Sequence, residues 1–249
     1  MDDKSWDKLA DRKKYFEEIS SPFAHLTTER KLKNAIKKFS GNKKVVELGA
    51  GLGYLVPFLS KHFSQVVAVD FSKKMISQIN NRIKKLENVK TRVADMRDLS
   101  EFRNEFDVAI SVNSIIAPSV KQVNKILGQV HNSLKRSGVF IGVLPSMNSY
   151  IHTSLLVYED YLNKNSKRAR RQTASHIEEH KYDFISGIFN NDGKQKFFYD
   201  SEIPFRFSNA GFKKVEISRL EYPWYSLKYR EIYFPGELKP WDWLVVARK

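Results

Sequence analysis

The sequence predicts an α/β fold, a doubly wound and mostly parallel sheet with helices on both faces. Three observations carry this expectation. Short apolar runs alternate with stretches of helical periodicity from residue 41 to residue 145. Each run is nearly continuous in apolar residues, as strands covered on both faces are, and right-handed crossovers then wind the sheet in both directions. A glycine-rich turn also sits where the first strand meets its helix, the ligand position of such sheets.

Taken in order, residues 1–40 read as two helices. Trp6, Leu9, Tyr15, Phe16 and Ile19 mark the first, which stops before Ser21-Pro22. Thr27 or Thr28 is expected to cap the second, with Leu32, Ala35, Ile36 and Phe39 at helical spacing. Next come a strand at Val45–Leu48, a helix at Leu52–Phe63, a strand at Val66–Val69 and a helix at Lys73–Leu86. Strands follow at Val89–Val93 and Phe106–Val112, a helix at Val120–Leu134 and a strand at Val139–Leu144. The alternation breaks over 146–203, rich in Tyr, His, Asn and Lys. It returns with a helix near Ile203–Asn209 and strands at Val215–Leu220 and Leu244–Ala247. The simplest organisation is one domain over 1–249: amino-terminal helices 1–40, an alternating core 41–145, an insertion 146–203 over the carboxyl edge of the sheet, and the last two strands in 204–249.

The chemistry concentrates in Glu47-Leu48-Gly49-Ala50-Gly51-Leu52-Gly53. Glycines there permit positive backbone dihedrals and let a ligand approach the main chain. A dinucleotide site requires G-x-G-x-x-G, but position 54 is tyrosine and the third glycine falls one residue early, at Gly53. Glu47 would also oppose a pyrophosphate, whereas it suits an adenosyl ligand that carries an amino-acid cation. No Gly-Lys-Ser or Gly-Lys-Thr phosphate loop is present. Asp70 closes the second strand, where a carboxylate can accept hydrogen bonds from ribose hydroxyls.

Composition narrows the field further. The 249 residues contain no cysteine, which removes disulfides, thiolate metal sites and covalent cysteine mechanisms such as those of some pyrimidine C5 methylations. Lys and Arg total 43 against 28 acidic residues, a net charge of +15, so RNA or another polyanion is a candidate partner. The surplus is spread over 31–44, 73–92 and 163–171, a pattern that solvated helix faces also give. No apolar run is long enough to span a membrane. Met1 to Lys14 is polar and lacks the apolar core of a secretory signal, so a cytoplasmic location is expected.

Over nearly its whole length the chain resembles the class I S-adenosylmethionine (SAM)-dependent methyltransferases. Glu47 to Gly53 is similar to their first motif and Val69-Asp70-Phe71-Ser72-Lys73-Lys74-Met75 to their second. Val93-Ala94-Asp95-Met96 is similar to the third, and Phe106 to Asn113 to the fourth strand. Leu134 to Val139 resembles the lead-in to strand five, departing at Arg136 and Ser137, and Ala210-Gly211-Phe212 resembles the approach to strand six. The resemblance implies a Rossmann-like sheet of seven strands, the last antiparallel, with 41–145 as the SAM-binding core and the insertion 146–203, between strands five and six, as the part that builds the acceptor site. It implies SAM as cofactor, held by Glu47, Gly49, Ala50, Gly51, Gly53, Asp70, Phe71, Met75, Ala94, Asp95, Met96 and Asn113. Asp70 would bind the ribose, Phe71 and Met75 would pack near the adenine, Asp95 would meet its amino group and Met96 its ring. The end of the fourth strand would lie beside the methyl group.

Methyl transfer is an in-line displacement in which alignment supplies much of the acceleration, so no single catalytic residue is compulsory. Tyr150, His152 and His176, with Tyr158 and His180, are candidates for base or orienting groups, and each also suits simple packing. His25 and Tyr15 are further candidates to fold over the cofactor. The aromatics Trp224, Tyr225, Tyr229, Tyr233, Phe234, Trp241 and Trp243 suit either an acceptor pocket or packing between the final strands. Asn113-Ser114-Ile115-Ile116 lacks the Asn/Asp-Pro-Pro-aromatic tetrapeptide of many nucleobase and glutamine methylases. The expected activity is therefore methyl transfer from SAM to an oxygen or nitrogen of a small-molecule acceptor. The alternatives are an RNA or protein methyltransferase using the basic surface, and a non-catalytic SAM-binding sensor or partner subunit.

Overall fold

The structure is a computed structural model that describes residues 22–190, 193–224 and 233–249. The expected first helix, with Trp6 and Tyr15, lies outside the described residues, as do Tyr225 and Tyr229. After a 3-10 turn at Pro22–Ala24 the elements are α1 (Leu26–Lys37), β1 (Gly41–Leu48), α2 (Val56–His62), β2 (Phe63–Asp70), α3 (Lys73–Arg82) and β3 (Val89–Val93). Then come β4 (Phe106–Val112), α4 (Val120–Ser133), β5 (Leu134–Leu144), α5 (Met147–Asn163) and α6 (Ala169–His176). The short strands β6 (Tyr182–Asp183), β7 (Ile188–Asn190) and β8 (Lys194–Lys196) precede α7 (Glu202–Asn209), β9 (Lys214–Glu221) and β10 (Trp241–Arg248).

The main sheet has seven strands in the order β3-β2-β1-β4-β5-β10-β9, and a separate three-stranded sheet holds β6-β7-β8. β1 pairs in parallel with β2 and β4, and β4 with β5. β10 enters between β5 and β9, antiparallel to both. The order reverses at β1 and β4, so a crevice opens outside their carboxyl ends. This is the mostly parallel, doubly wound sheet that the sequence predicts.

Alternation along each strand divides the core into two layers. Val46, Leu48, Val67, Val69, Ala109, Phe140 and Val245 face α4 and α7, through Val123, Leu127, Val130, Ile203 and Phe207. Val45, Val66, Val108, Ile110, Ile141, Val143 and Leu244 face α1 and α2, through Leu32, Ile36, Leu55 and Leu59. A third patch packs Ile76, Ile79 and Ile83 of the α3 region against Val56 and Ala68.

Several boundaries differ from expectation for identifiable reasons. α2 begins at Val56 rather than Leu52, because positive φ at Gly49, Gly51 and Gly53 holds the intervening segment in an open loop. α1 is entered through His25, not capped by Thr27 or Thr28. Thr28 is instead buried, and its hydroxyl donates to the carbonyl of Glu221 at 2.7 Å, tying α1 to β9. α3 stops at Arg82, while β5 and β10 extend beyond their apolar cores to begin at Leu134 and Trp241. The insertion is not irregular: it forms α5, α6 and the small sheet. It is fixed to the end of β5 where Met147 N–H donates to Phe198 O and Phe198 N–H to Pro145 O.

Phe207 is wholly buried and meets Phe140 and Phe212 with ring centroids 5.4 and 5.3 Å apart. Phe207→Ala should cost about 3–5 kcal/mol of stability by leaving a cavity under the sheet. Urea denaturation followed by circular dichroism measures this.

Candidate functional site

The crevice is built from the loop after β1. Gly49 and Ala50 both donate their N–H groups to Val69 O, at 2.8 and 3.0 Å, so the turn hangs from the end of β2. Gly53 N–H donates to Ala50 O at 2.8 Å and closes it. The glycines have separate reasons. At Gly49, with φ of 69°, an added Cβ would lie 2.4 Å from Ser114 Cβ, so only glycine lets the loop approach the end of β4. At Gly53 a Cβ would come within 3.0 Å of Ile79, so glycine brings the loop onto α3. Tyr54, where a dinucleotide loop would have its third glycine, stacks on Phe23 at 6.4 Å. The Arg82 guanidinium lies 4.4 Å from its ring centre.

Asp70 secures this loop. Its Oδ2 accepts from Gly51 N–H and its Oδ1 from Ser72 N–H, both at 2.9 Å. Ser72 in turn caps α3 by accepting from Met75 N–H at 3.1 Å. The carboxylate proposed for the ribose thus also orders the loop from within, while each oxygen retains lone-pair capacity.

Glu47 is 4 % exposed, and its Oε2 is buried with no hydrogen-bond partner. Burial, with the negative charge of Asp70 added, pushes its carboxyl up to about 8. No cation acts on it among the described residues, and an acid held this way is poised for one. This orphaned oxygen and the side-chain-free loop fit a ligand bearing an ammonium group.

The remaining expected cofactor residues occupy the same rim in different states. Ala94 N–H donates to Asp70 O at 3.1 Å, and Ala94 and Met96 pack against the core. Phe71 is half-buried, whereas Met75 is 1 % exposed and belongs to the interior of α3. Asp95 pairs with Arg97, whose Nε lies 2.8 Å from Oδ2. Burial would raise the Asp95 carboxyl, but the Arg97 hydrogen bonds outweigh it and hold the group below its usual value. Asn113 ends β4 in the left-handed region, at φ 48°, a conformation that costs energy outside glycine.

Two groups that sequence reasoning missed lie beside Asn113. Asp242 Oδ2 accepts from Asn113 Nδ2 at 2.9 Å and from the Tyr222 hydroxyl at 2.6 Å. Burial pushes the Asp242 carboxyl up to about 6, against the lowering effect of those donors and of the Ser146 N–H. Tyr222 is 2 % exposed, and its phenol is driven well above its ordinary value by burial and by Asp242, so it remains a donor. The Oδ1 of Asn113 is buried and has no partner.

The three histidine and tyrosine candidates are dispersed. Tyr150 stacks on Tyr182 at 3.7 Å and donates to Ile177 O at 2.8 Å, bracing the insertion. His176 shares a hydrogen bond with the Tyr161 hydroxyl at 3.2 Å. His152 lies 5.8 Å from Trp241, and its Nε2 is buried with no partner. Among the aromatics, Trp241 and Trp243 join the core, and Trp224 packs against Phe234 and Val157. His25 meets Tyr222 edge-on at 6.2 Å.

Because Glu47 has its carboxyl raised above the ordinary 4.5, its contribution to stability is full below that value and is lost as the pH rises through about 8. Glu47→Gln stays neutral. It should therefore melt above the wild-type, ligand-free protein at pH 8, with the advantage shrinking toward pH 5. Scanning calorimetry at the two pH values checks this.

The same architecture recurs among known proteins. Residues 45–138 match the family model of a methyltransferase domain. A methyltransferase of Haloferax volcanii, solved with the Trm112 methyltransferase activator, superposes with a TM-score of 0.64 at 17% identity, covering 98% of this chain and 96% of that one. The PH0226 protein of Pyrococcus horikoshii OT3 gives 0.61 at 18% identity over 94% and 95%. The N-methyltransferase NodS of Bradyrhizobium japonicum WM9, solved with S-adenosyl-L-homocysteine, gives 0.61 at 12% identity over 99% and 97%. A search of curated protein sequences finds no match. Residues 45–138 thus match a methyltransferase domain, and the chain as a whole takes the fold of these solved structures, among them a methyltransferase bound to S-adenosyl-L-homocysteine.

Proposed function

We propose that this protein transfers the methyl group of SAM to an oxygen or nitrogen of a small-molecule acceptor. The observation that carries the reading is the orphaned Glu47 carboxylate beside a glycine loop that Asp70 holds open. The cofactor supplies a methyl carbon on a positively charged sulfur, and the displacement leaves a neutral thioether. For its part the chain binds and aligns. Glu47 gives a counter-charge to the ligand's ammonium, and Gly49 and Gly51 present backbone without side chains. Asp70 and Asp95 offer carboxylate oxygens along the rim, and Phe71 and Met96 offer apolar surface to a purine. Asn113, at the end of β4, marks the side from which an acceptor approaches.

A small acceptor agrees with the burial of the Tyr222 side chain and of the Asn113 amide oxygen at the end of β4. The basic stretch 164–171 also spends part of its charge internally. Lys164 pairs with Asp160 and Arg170 with Glu179, each at 2.7 Å. No helix among the described residues is long and apolar enough to cross a membrane.

Isothermal titration should show SAM binding in the micromolar range and none for NADH. Asp70→Asn, which cannot accept from both Gly51 and Ser72 as a carboxylate does, should weaken SAM by about tenfold or more. SAM-independent NADH binding would sink the reading. Gly49→Ala should abolish measurable SAM binding in a chain whose circular dichroism is unchanged, because the loop must retreat from Ser114.

A further inference from the structure

The four described buried side-chain atoms without partners include Asn113 Oδ1 and Glu47 Oε2. Both residues stand at the carboxyl ends of neighbouring strands, β1 and β4. Asp242 is the second residue of β10, two strands beyond β4, and Tyr222 directly follows β9. β9 and β10 meet this edge because β10 runs antiparallel, so its first residue lies where the parallel strands end. Asp242 is paired in register with Leu220, and its strand neighbour Leu244 belongs to the core layer that faces α1. Glu47 follows Val45 of that same layer by two residues, so the two carboxylates sit on one side of the sheet.

The charges around Asp242 are informative. The groups that act on it are Tyr222, Asn113 and the Ser146 N–H, none of them a cation. For His25, the titratable group facing Tyr222 from the segment before α1, burial lowers the pKa and so disfavours the charged form. Among the described residues no positive side chain acts on this carboxylate, in a chain of net charge +15. Such a carboxylate, bonded at 2.9 Å by the Asn113 amide nitrogen while the oxygen of the same amide is left without a partner, suits a ligand that is both cationic and a multiple donor. A protonated amine is both, while a hydroxyl brings one donor and no charge.

We propose that Asn113, Asp242 and Tyr222 form the acceptor subsite and that it takes the amino group of a small amine, with Asp242 as the group that receives the nitrogen's proton. This rests on the methyltransferase reading above. An N–H group of the ammonium donates to Asn113 Oδ1 and another to the Asp242 carboxylate. The N–H bond to Asp242 then breaks, the proton bonds to the carboxylate oxygen, and the electron pair stays on nitrogen as the lone pair a methyl acceptor needs. The products of this step are a neutral acid and a neutral amine, the pairing that a buried site favours. Tyr222 and Asn113 hold the carboxylate in place and are positioning residues.

The test uses the full chain saturated with S-adenosylhomocysteine and two isosteric pairs, benzylamine with benzyl alcohol and n-butylamine with 1-butanol. At least one amine should raise the melting temperature more than its alcohol does. Asp242→Asn should weaken that amine about tenfold or more, as loss of a charge-assisted contact does, with S-adenosylhomocysteine affinity unchanged within about threefold. Tyr222→Phe removes one of the two side-chain donors to the carboxylate and should reduce the amine preference without abolishing it, which keeps the proposal testable if Asp242→Asn folds poorly. Equal shifts from amine and alcohol, no shift from either series, or an undiminished amine shift in Asp242→Asn would each overturn the proposal. Failure to bind S-adenosylhomocysteine at all would instead bring down the cofactor reading, which keeps the two results apart.

Discussion

The Asp70 carboxylate is the constraint on which the site depends. One oxygen holds Gly51 N–H in the loop and the other holds Ser72 N–H at the start of α3. A single side chain at the end of β2 therefore fixes both the glycine turn of the neighbouring strand and the entry to the next helix. Remove it and the loop keeps only its two bonds to Val69 O and the Gly53 closure. The positive φ values of Gly49, Gly51 and Gly53 make that turn possible, but they also make it entropically costly to order. The carboxylate offsets that cost with two charge-assisted hydrogen bonds.

Around this anchor the molecule accepts local strain and local desolvation. Glu47 is buried with one oxygen unpartnered, Asn113 is held in a left-handed conformation, and partial burial raises the carboxyl of Asp242. None of these stabilises the ligand-free fold. They are concentrated at one edge, while the two core layers beneath are apolar and well filled. That division, a stable sheet below and an underspecified polar rim above, is what a binding crevice requires.

Much of this was legible in the residues, and what was not has physical causes. β3 and β4 begin and end where their apolar runs do. The switch from short, nearly continuous apolar runs to helical spacing made the parallel order up to β5 legible. The start of α2 was misplaced because Leu52 and Leu55 continue a helical spacing through a loop that glycine dihedrals, not side chains, define. Thr28 looked like a cap because a cap and a tertiary hydroxyl contact use the same residue type. The insertion gave no periodic signal, since its strands are two or three residues long. Asp242 and Tyr222 were missed because their partner Asn113 is 129 residues from Asp242 in sequence. One local signal was available: Asp242 is a lone acid between Trp241 and the apolar run Trp243 to Ala247. A carboxylate at the head of a buried strand is costly unless something there uses it.

The position of β10 has a consequence for how the protein is made. Glu47, Gly49, Asp70 and Asn113 all belong to the first half of the chain, and the strands that carry them can pair as soon as they emerge. The strand carrying Asp242 comes after all of these, yet it is wedged into the interior of the sheet between β5 and β9 rather than added to an edge. During synthesis, a nascent chain thus assembles its cofactor half early but keeps the flank of β5 open until β10 arrives. The two halves of the site mature at different times, and the later one is completed only by a strand that closes a gap in an already folded layer.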